Sequence, residues 1–196
     1  MKGKAVPDNR IRCFIAAELP HDLLQEIGQY IRSIAAYSSG VRWVKTTGIH
    51  ITLKFLGEIT LSAAEQVRDV LEGIKQVAGP FDMTIRGSGF FPNRRQPRVI
   101  WLGLEHDPEH SLFKLHEWLD QHLAALGFER EKRRFSPHLT LGRIKGPEKL
   151  EPVFNFLDEH PFPDKTFRID RIFFIRSSLQ PGGAVYSTIA DYPLEG

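Results

Sequence analysis

One short pattern occurs twice in this chain, and it restricts the fold more than any bulk property does. The stretch Ile49-His50-Ile51-Thr52-Leu53-Lys54-Phe55-Leu56-Gly57 returns, shortened, as His138-Leu139-Thr140-Leu141-Gly142. Each copy reads His, apolar, Thr, Leu. Alternating apolar and polar residues have the two-residue period of a half-buried strand. His50 and Thr52 then share one face, and Ile49, Ile51, Leu53 and Phe55 share the other. Along a strand the two polar residues sit about 7 Å apart. At that spacing an imidazole and a hydroxyl reach one group the size of a phosphate. A single copy reads as readily as a strand histidine with a satisfied hydrogen bond; two matched copies favour a shared ligand.

The shift that carries His50 onto His138 also aligns other elements. It takes the apolar strand Ile11–Leu19 onto Val99–Asp107, and Pro20 onto Pro108. Pro20 opens a helix with Leu23, Leu24, Ile27, Ile31 and Ile34 at helical spacing. A second helix runs from about Glu109 to Leu126, with Gly127 as its C′ residue. Ser62-Ala63-Ala64-Glu65 reads as a capping box ahead of Val67, Val70, Leu71 and Ile74. The shift takes it near Leu150, inside a short helix expected to start at Pro147-Glu148-Lys149 and end near Glu159. Each half thus reads strand, helix, His-Thr strand, helix, strand. We read this as an internal duplication of elements; the alternative is coincidence among common elements. Two equivalent lobes would turn both His-Thr pairs toward one central groove. The strand-helix order by itself favours parallel sheets.

At 196 residues the chain makes one large domain or two small lobes. Cys13 is alone, which excludes an internal disulfide and points to a reducing cytoplasm. No apolar run approaches the length of a membrane-spanning helix, and Met1-Lys2-Gly3-Lys4 is not followed by a signal-type segment. Residues 1–9 read as a loose tail. A formal charge of +2 neither demands nor opposes a nucleic-acid partner. Locally, though, Arg94, Arg95 and Arg98, then Arg130, Lys132, Arg133 and Arg134, could hold phosphates flanking a central site. Trp43, Phe90 and Phe91 could stack on bases. The plainer reading makes these solvated loops and core aromatics.

Two histidines facing one ligand suit general acid–base chemistry. An ordinary imidazole pKa near 6.5 lets one ring take a proton while the other gives one. Phosphodiester cleavage needs that pairing. The threonine hydroxyls would donate to non-bridging phosphate oxygens. No metal or cofactor is required. Other chemistries fit worse. His116-Glu117-Trp118-Leu119-Asp120 begins like a zinc-protease motif, but Asp120 stands where a second His is needed. His106 and His110 are separated by Pro108. His21, His116 and His122 read as surface or helix-face residues, and Cys13 as an inert thiol in an apolar strand. No phosphate-binding Gly-Lys-Ser/Thr loop is present, and Gly87 and Gly89 lack the third glycine of a dinucleotide fingerprint.

These residues together resemble the two-histidine phosphoesterase superfamily, and within it the LigT-like RNA 2',3'-cyclic phosphodiesterases, also called 2'-5' RNA ligases. The resemblance extends over Arg12-Cys13-Phe14-Ile15-Ala16, Val41-Arg42-Trp43-Val44, His50 through Gly57, Val99-Ile100-Trp101-Leu102, Phe135 through Leu141, and Gly183 to Tyr186. It implies a single bilobal α+β domain over residues 1–196, with two pseudo-symmetric lobes of antiparallel sheet and outer helices around a central groove. It implies metal-independent hydrolysis of an RNA terminal 2',3'-cyclic phosphate to a 2'-phosphate. His50 would be the proton donor to the leaving 3' oxygen and His138 the base that activates water, with Thr52 and Thr140 holding the phosphate. The family's basic residue after the second motif corresponds to Arg143. Strict alternation puts Arg143 on the face away from His138, so its role requires a twist or bulge, which Gly142 would permit. The expected partners are RNA ends carrying a cyclic phosphate, with no membrane and no metal, and the chain is expected to act as a monomer. Reversible 2'-5' ligation of RNA ends and non-catalytic binding of RNA ends stay open as alternatives.

Overall fold

The structure, a computed structural model, describes residues 9–105, 108–146, 150–181 and 183–196. The tail expected over 1–9, the helix start expected at Pro147-Glu148-Lys149, His106 and Gly182 fall wholly or mostly outside these residues.

Two antiparallel sheets form the frame. The first has four strands: β3 (Ile51–Thr60), β1 (Arg10–Ala17), β8 (Arg171–Gln180) and β9 (Gly183–Pro193), in that spatial order. The second has five: β2 (Val41–Trp43), β6 (His138–Ile144), β5 (Val99–Glu105), β4 (Phe81–Phe91) and β7 (Lys165–Ile169). Every pairing in both is antiparallel, which overturns the parallel arrangement that element order alone suggests.

The duplication survives in the topology. The shift from His50 to His138 maps β1 onto β5, β3 onto β6 and β4 onto β8. It therefore turns the order β3-β1-β8 into β6-β5-β4. The halves do not build separate lobes, however. β4 leaves its own half for the second sheet, and β8 leaves its half for the first. The helices cross as well. α1 (His21–Ala35) follows β1 yet packs against β2 and against α4 (Glu151–Glu159). Its Tyr30 hydroxyl donates to the His160 carbonyl at 2.8 Å. α3 (Ser111–Ala124) follows β5 yet packs against β3 and α2 (Leu61–Leu71). Each lobe thus needs both halves of the sequence.

The amphipathic stripes read from the sequence supply the core. Ile27, Ile31 and Ile34 of α1 are buried, as are Leu112, Leu115, Leu119 and Leu123 of α3. They join Ile15, Ile51, Leu102, Leu139 and Leu141 in one contiguous cluster. Gly127 takes a positive φ of 89° just past α3, as the C′ position requires. The α2 cap differs from expectation. Thr60 is the cap, its hydroxyl accepting from the Ala63 N–H at 3.1 Å, and Ser62 already lies within the helix. A second, small cluster of Phe14, Ala16 and Ile175, with Phe173 and Tyr186, lies apart from the main core. Its Phe14 and Tyr186 are ring neighbours of His50.

Candidate active site

β1 and β3 set the first half of the site. Thr52 pairs with Ala16, so both face the small aromatic cluster and not the main core. His50, just before β3, stacks its ring on Phe14 at 4.6 Å between centroids and 28° between planes. Tyr186 of β9 meets the same imidazole edge-on at 5.3 Å. His50 and Thr52 therefore share a face, as alternation predicts. Beyond Thr52 the alternation breaks. Ala16 pairs with Thr52 and Ile15 with Lys54, which leaves Leu53 as an extra residue in a bulge. The bulge inverts the next three side chains, until a second extra residue, Leu56, restores the phase and returns Ile59 to the core. Lys54 turns inward, 6% exposed, and its ammonium donates to Asp120 of α3 at 2.5 Å and to the Glu129 carbonyl at 2.7 Å. Phe55, expected on the core face, turns outward instead. It is 63% exposed and lies 5.9 Å from the Phe14 ring.

β5 and β6 set the second half in the same way. His138 pairs with Gly103 and Thr140 with Trp101, but Ile100 pairs with Gly142, so Leu141 is the extra residue. The bulge sits at the position equivalent to Leu53. Arg143 pairs with Val99, which lies two residues from Trp101 on an uninterrupted β5. Arg143 therefore shares the face of Thr140, and the bulge needed for that is present. Gly142 takes the opposite face, where a Cβ would meet Val41 at 2.6 Å and Trp43 at 3.0 Å. Phe91 of β4 touches His138 edge-on at 4.8 Å and leans on Trp101 at 5.0 Å. Trp101 in turn lies over Gly89, where any side chain would strike the indole.

β3 and β6 are spatial neighbours across the two sheets. Burial first, and then the charge of His138, push the His50 pKa down to about 4. The two imidazoles thus feel each other electrostatically. Burial also lowers the pKa of His138, and the nearby Arg143 charge adds to this; the Ser136 carbonyl works against both. That carbonyl accepts a hydrogen bond from Nδ1–H of His138 at 2.8 Å. In the neutral ring the lone pair is then on Nε2. Among the described residues, His50 has ring contacts in place of such a bond.

The other candidates divide. Phe91 touches the His138 ring, whereas Trp43 and Phe90 pack against the main core, opposite Gly142 and Ile100 respectively. Arg94 is spent on a two-pronged ion pair with Asp158, at 2.6 and 3.0 Å, and on the Phe154 face at 4.7 Å. His122 stacks on Trp118 and bonds to its carbonyl. Asp120, which breaks the zinc-protease pattern, is the partner of Lys54. Cys13 is buried, and desolvation raises its pKa to about 11, far from a reactive thiolate. Sequence reasoning missed Phe55, Phe14 and Tyr186 as groove residues. For Phe55 a signal exists: the duplication shift carries it onto Arg143, for which the family resemblance requires a bulge.

The sequence profile of the 2'-5' RNA ligase superfamily matches residues 20–181. A Methanothermobacter thermautotrophicus protein named RNA 2',3'-cyclic phosphodiesterase is 31% identical over 186 residues, covering 94% of this chain and 100% of its own. A Thermotoga maritima protein of the same name is 32% identical over 189 residues, covering 95% of this chain and 97% of its own. Among solved structures, E. coli LigT complexed with 3'-AMP superposes with a TM-score of 0.75 at 25% identity, over 95% of this chain and 99% of that one. The fold is also that of the Thermus thermophilus protein TT0787, with a TM-score of 0.78, 24% identity, and coverage of 95% and 99%.

Proposed function

This chain belongs to the 2'-5' RNA ligase superfamily, and from that premise we propose that it is an RNA 2',3'-cyclic phosphodiesterase, opening the cyclic phosphate at an RNA end to a 2'-phosphate. The observation that supports the reading is the pair of bulged strands, neighbours in space, each with a histidine and a threonine on one face and with imidazoles near enough for one charge to act on the other. The activity named for relatives at 31% and 32% identity over nearly the whole chain supports the same reading.

The chemistry follows from the side chains. A water oxygen attacks phosphorus, and Nε2 of His138 takes its proton. The bond from phosphorus to the 3' oxygen breaks, and His50 gives its proton to that oxygen. Each transfer contributes about 10²–10⁴-fold. Thr52, Thr140 and Arg143 hold the non-bridging oxygens, where charge gathers in the transition state. The exposed Phe55 ring, beside Phe14, offers a stacking surface for the terminal base. None of these steps is routed through a metal.

One electrostatic requirement is specific. Burial and the His138 charge hold His50 neutral at pH 7, yet the proton donor must start protonated. A bound phosphate anion next to the ring favours its charged form and lifts its pKa. Substrate binding therefore loads the acid. The buried Cys13 thiol suits a reducing cytoplasm, and a single chain contains the full set of groups, which suits a monomer.

The test is incubation with an oligonucleotide ending in a 2',3'-cyclic phosphate, in EDTA, with the product isomer identified. A 2'-phosphate supports the reading. A 3'-phosphate would reverse the leaving group, and an RNA 5'-hydroxyl captured into a 2'-5' linkage would identify ligation. No turnover with tight binding would leave a binding module.

A further inference from the structure

A cavity of about 420 Å³ lies between α3 and the connection that leads from α3 into β6. Arg130 and Arg134 line it, together with His116, Phe135 and the carboxylates of Glu117 and Asp120. We propose that this cavity is a subsite for a backbone phosphate of single-stranded RNA, upstream of the terminus held in the groove. The inference rests on the phosphodiesterase reading and deepens it: it says why the enzyme would distinguish an RNA end from a cyclic mononucleotide.

The charges carry the argument. Arg86, Arg94, Arg168 and Arg171 are each engaged by a carboxylate. Arg130 and Arg134 are exposed and, among the described residues, have no carboxylate partner. Asp120 is already neutralised. It accepts from the Lys54 ammonium and from the Glu131 N–H at 2.9 Å. Glu117 remains as the one unpaired carboxylate in the lining, 3.4 Å from the Gln121 amide that donates to it, and the Glu131 charge also reaches His116 from just outside the lining. Within the lining itself two guanidinium groups face one solvated carboxylate, and Lys132 and Arg133 adjoin Glu131 on the same connection.

The walls fit the same ligand. His116 stacks on Phe135 at 4.1 Å and 14°, and Phe113 meets Phe135 edge-on at 5.3 Å. Cations beside an aromatic wall are the combination that binds single strands without reading sequence. The cavity is also tied to the groove. Phe135 stands three residues before His138, about 10 Å of extended chain, and the Ser136 carbonyl between them holds the His138 ring. A strand leaving the groove along this connection meets the cavity within a nucleotide or two.

The experiment uses a 5'-labelled single-stranded oligonucleotide ending in a 2'-phosphate, with binding followed by fluorescence anisotropy across salt concentrations. In Arg130→Ala/Arg134→Ala, binding weakens about tenfold and the salt dependence (log K against log salt) flattens by about 0.7 for each phosphate that is no longer neutralised. The preference in kcat/KM for an oligonucleotide end over 2',3'-cyclic CMP falls by a similar factor. Lys132→Ala/Arg133→Ala removes the same charge from residues that do not line the cavity, and it should retain most of the affinity and slope. Equal losses in the two double variants would overturn the subsite in favour of a diffuse charge effect. So would unchanged oligonucleotide binding in Arg130→Ala/Arg134→Ala. The binding arm does not need turnover, so a wild type without hydrolysis would refute the enzymatic reading and still test the subsite.

Discussion

At the start of β3 the imidazole of His50, one residue before the strand, is held by rings, with Phe14 stacked beneath it and Tyr186 at its edge. On β6 the imidazole of His138 is held by a hydrogen bond from Nδ1 to the Ser136 carbonyl. The backbones around them are equivalent, down to a bulge at Leu53 in one strand and Leu141 in the other. Past each bulge the equivalent positions diverge. Lys54 corresponds to Gly142, and Phe55 to Arg143. A duplicated frame thus sets two similar histidines beside neighbouring strands in unequal surroundings, and under the proposed reading those surroundings divide their labour. A ring with a fixed tautomer and a free Nε2 suits a base. A ring whose proton waits on a bound anion suits an acid that is loaded only with substrate.

Removing either imidazole breaks the comparison most severely. His50→Ala and His138→Ala should each lower kcat/KM by about 10²–10⁴-fold. Their pH profiles should differ as well. Loss of His138 removes the acid limb, which lies below 6.5 because burial lowers its pKa. Loss of His50 removes the alkaline limb of kcat. Steady-state profiles of the two variants check this, and identical profiles would erase the division.

The inward positions come next. Burial works to raise the Asp120 pKa, but the Lys54 hydrogen bond, the Glu131 N–H and the Lys54 charge outweigh it and hold the carboxylate below its usual range. Lys54→Met leaves that carboxylate unpaired. The expected loss is about 3 kcal/mol in urea denaturation, the low end for a broken buried pair because Asp120 keeps some access to water. The double variant Lys54→Met/Asp120→Leu should recover part of it. The equivalent Gly142→Ala costs about 1–3 kcal/mol by overpacking against Val41 and Trp43.

The outward positions sharpen the comparison in another way. Arg143→Ala removes a charge from the phosphate and should cost about 10- to 100-fold in kcat/KM for any base. Phe55→Ala removes a stacking face, worth about 1–3 kcal/mol per base, and should raise KM more for purine than for pyrimidine ends. Kinetics on four cyclic nucleotides separate the two.

Much of this is legible in the strand pattern. The doubled His-Thr motif, the helical stripes and the duplication shift are all readable, because each depends on periodicity within a short window. The lobe exchange is not. Which sheet β4 or β8 joins is decided by long-range pairing that leaves no mark in local spacing. The bulges show the same limit. Alternation places His50 and Thr52 correctly and then fails at Phe55, because the extra residue Leu53 inverts the side chains up to the second bulge at Leu56. Arg143 is recovered only because the family resemblance demands a bulge there.

A smaller effect concerns stability. Burial keeps both rings from binding protons as readily as they would in the unfolded chain. Their contribution is whole above about pH 6.5 and is lost as pH falls toward 4, the His50 value. In phosphate-free buffer His50 alone should cost up to about 1.4 kcal/mol per pH unit across that window. Thermal melts of His50→Gln should show a shallower slope.

The shared cavity itself is tested most directly by following the imidazole resonances of His50 and His138 by NMR during titration with inorganic phosphate. Both rings should shift with a single dissociation constant, and the midpoint of His50 should rise from about 4 toward neutrality as the anion binds. Shifts confined to one ring, or two rings responding at unrelated phosphate concentrations, would show that they do not flank one phosphorus and would contradict the account.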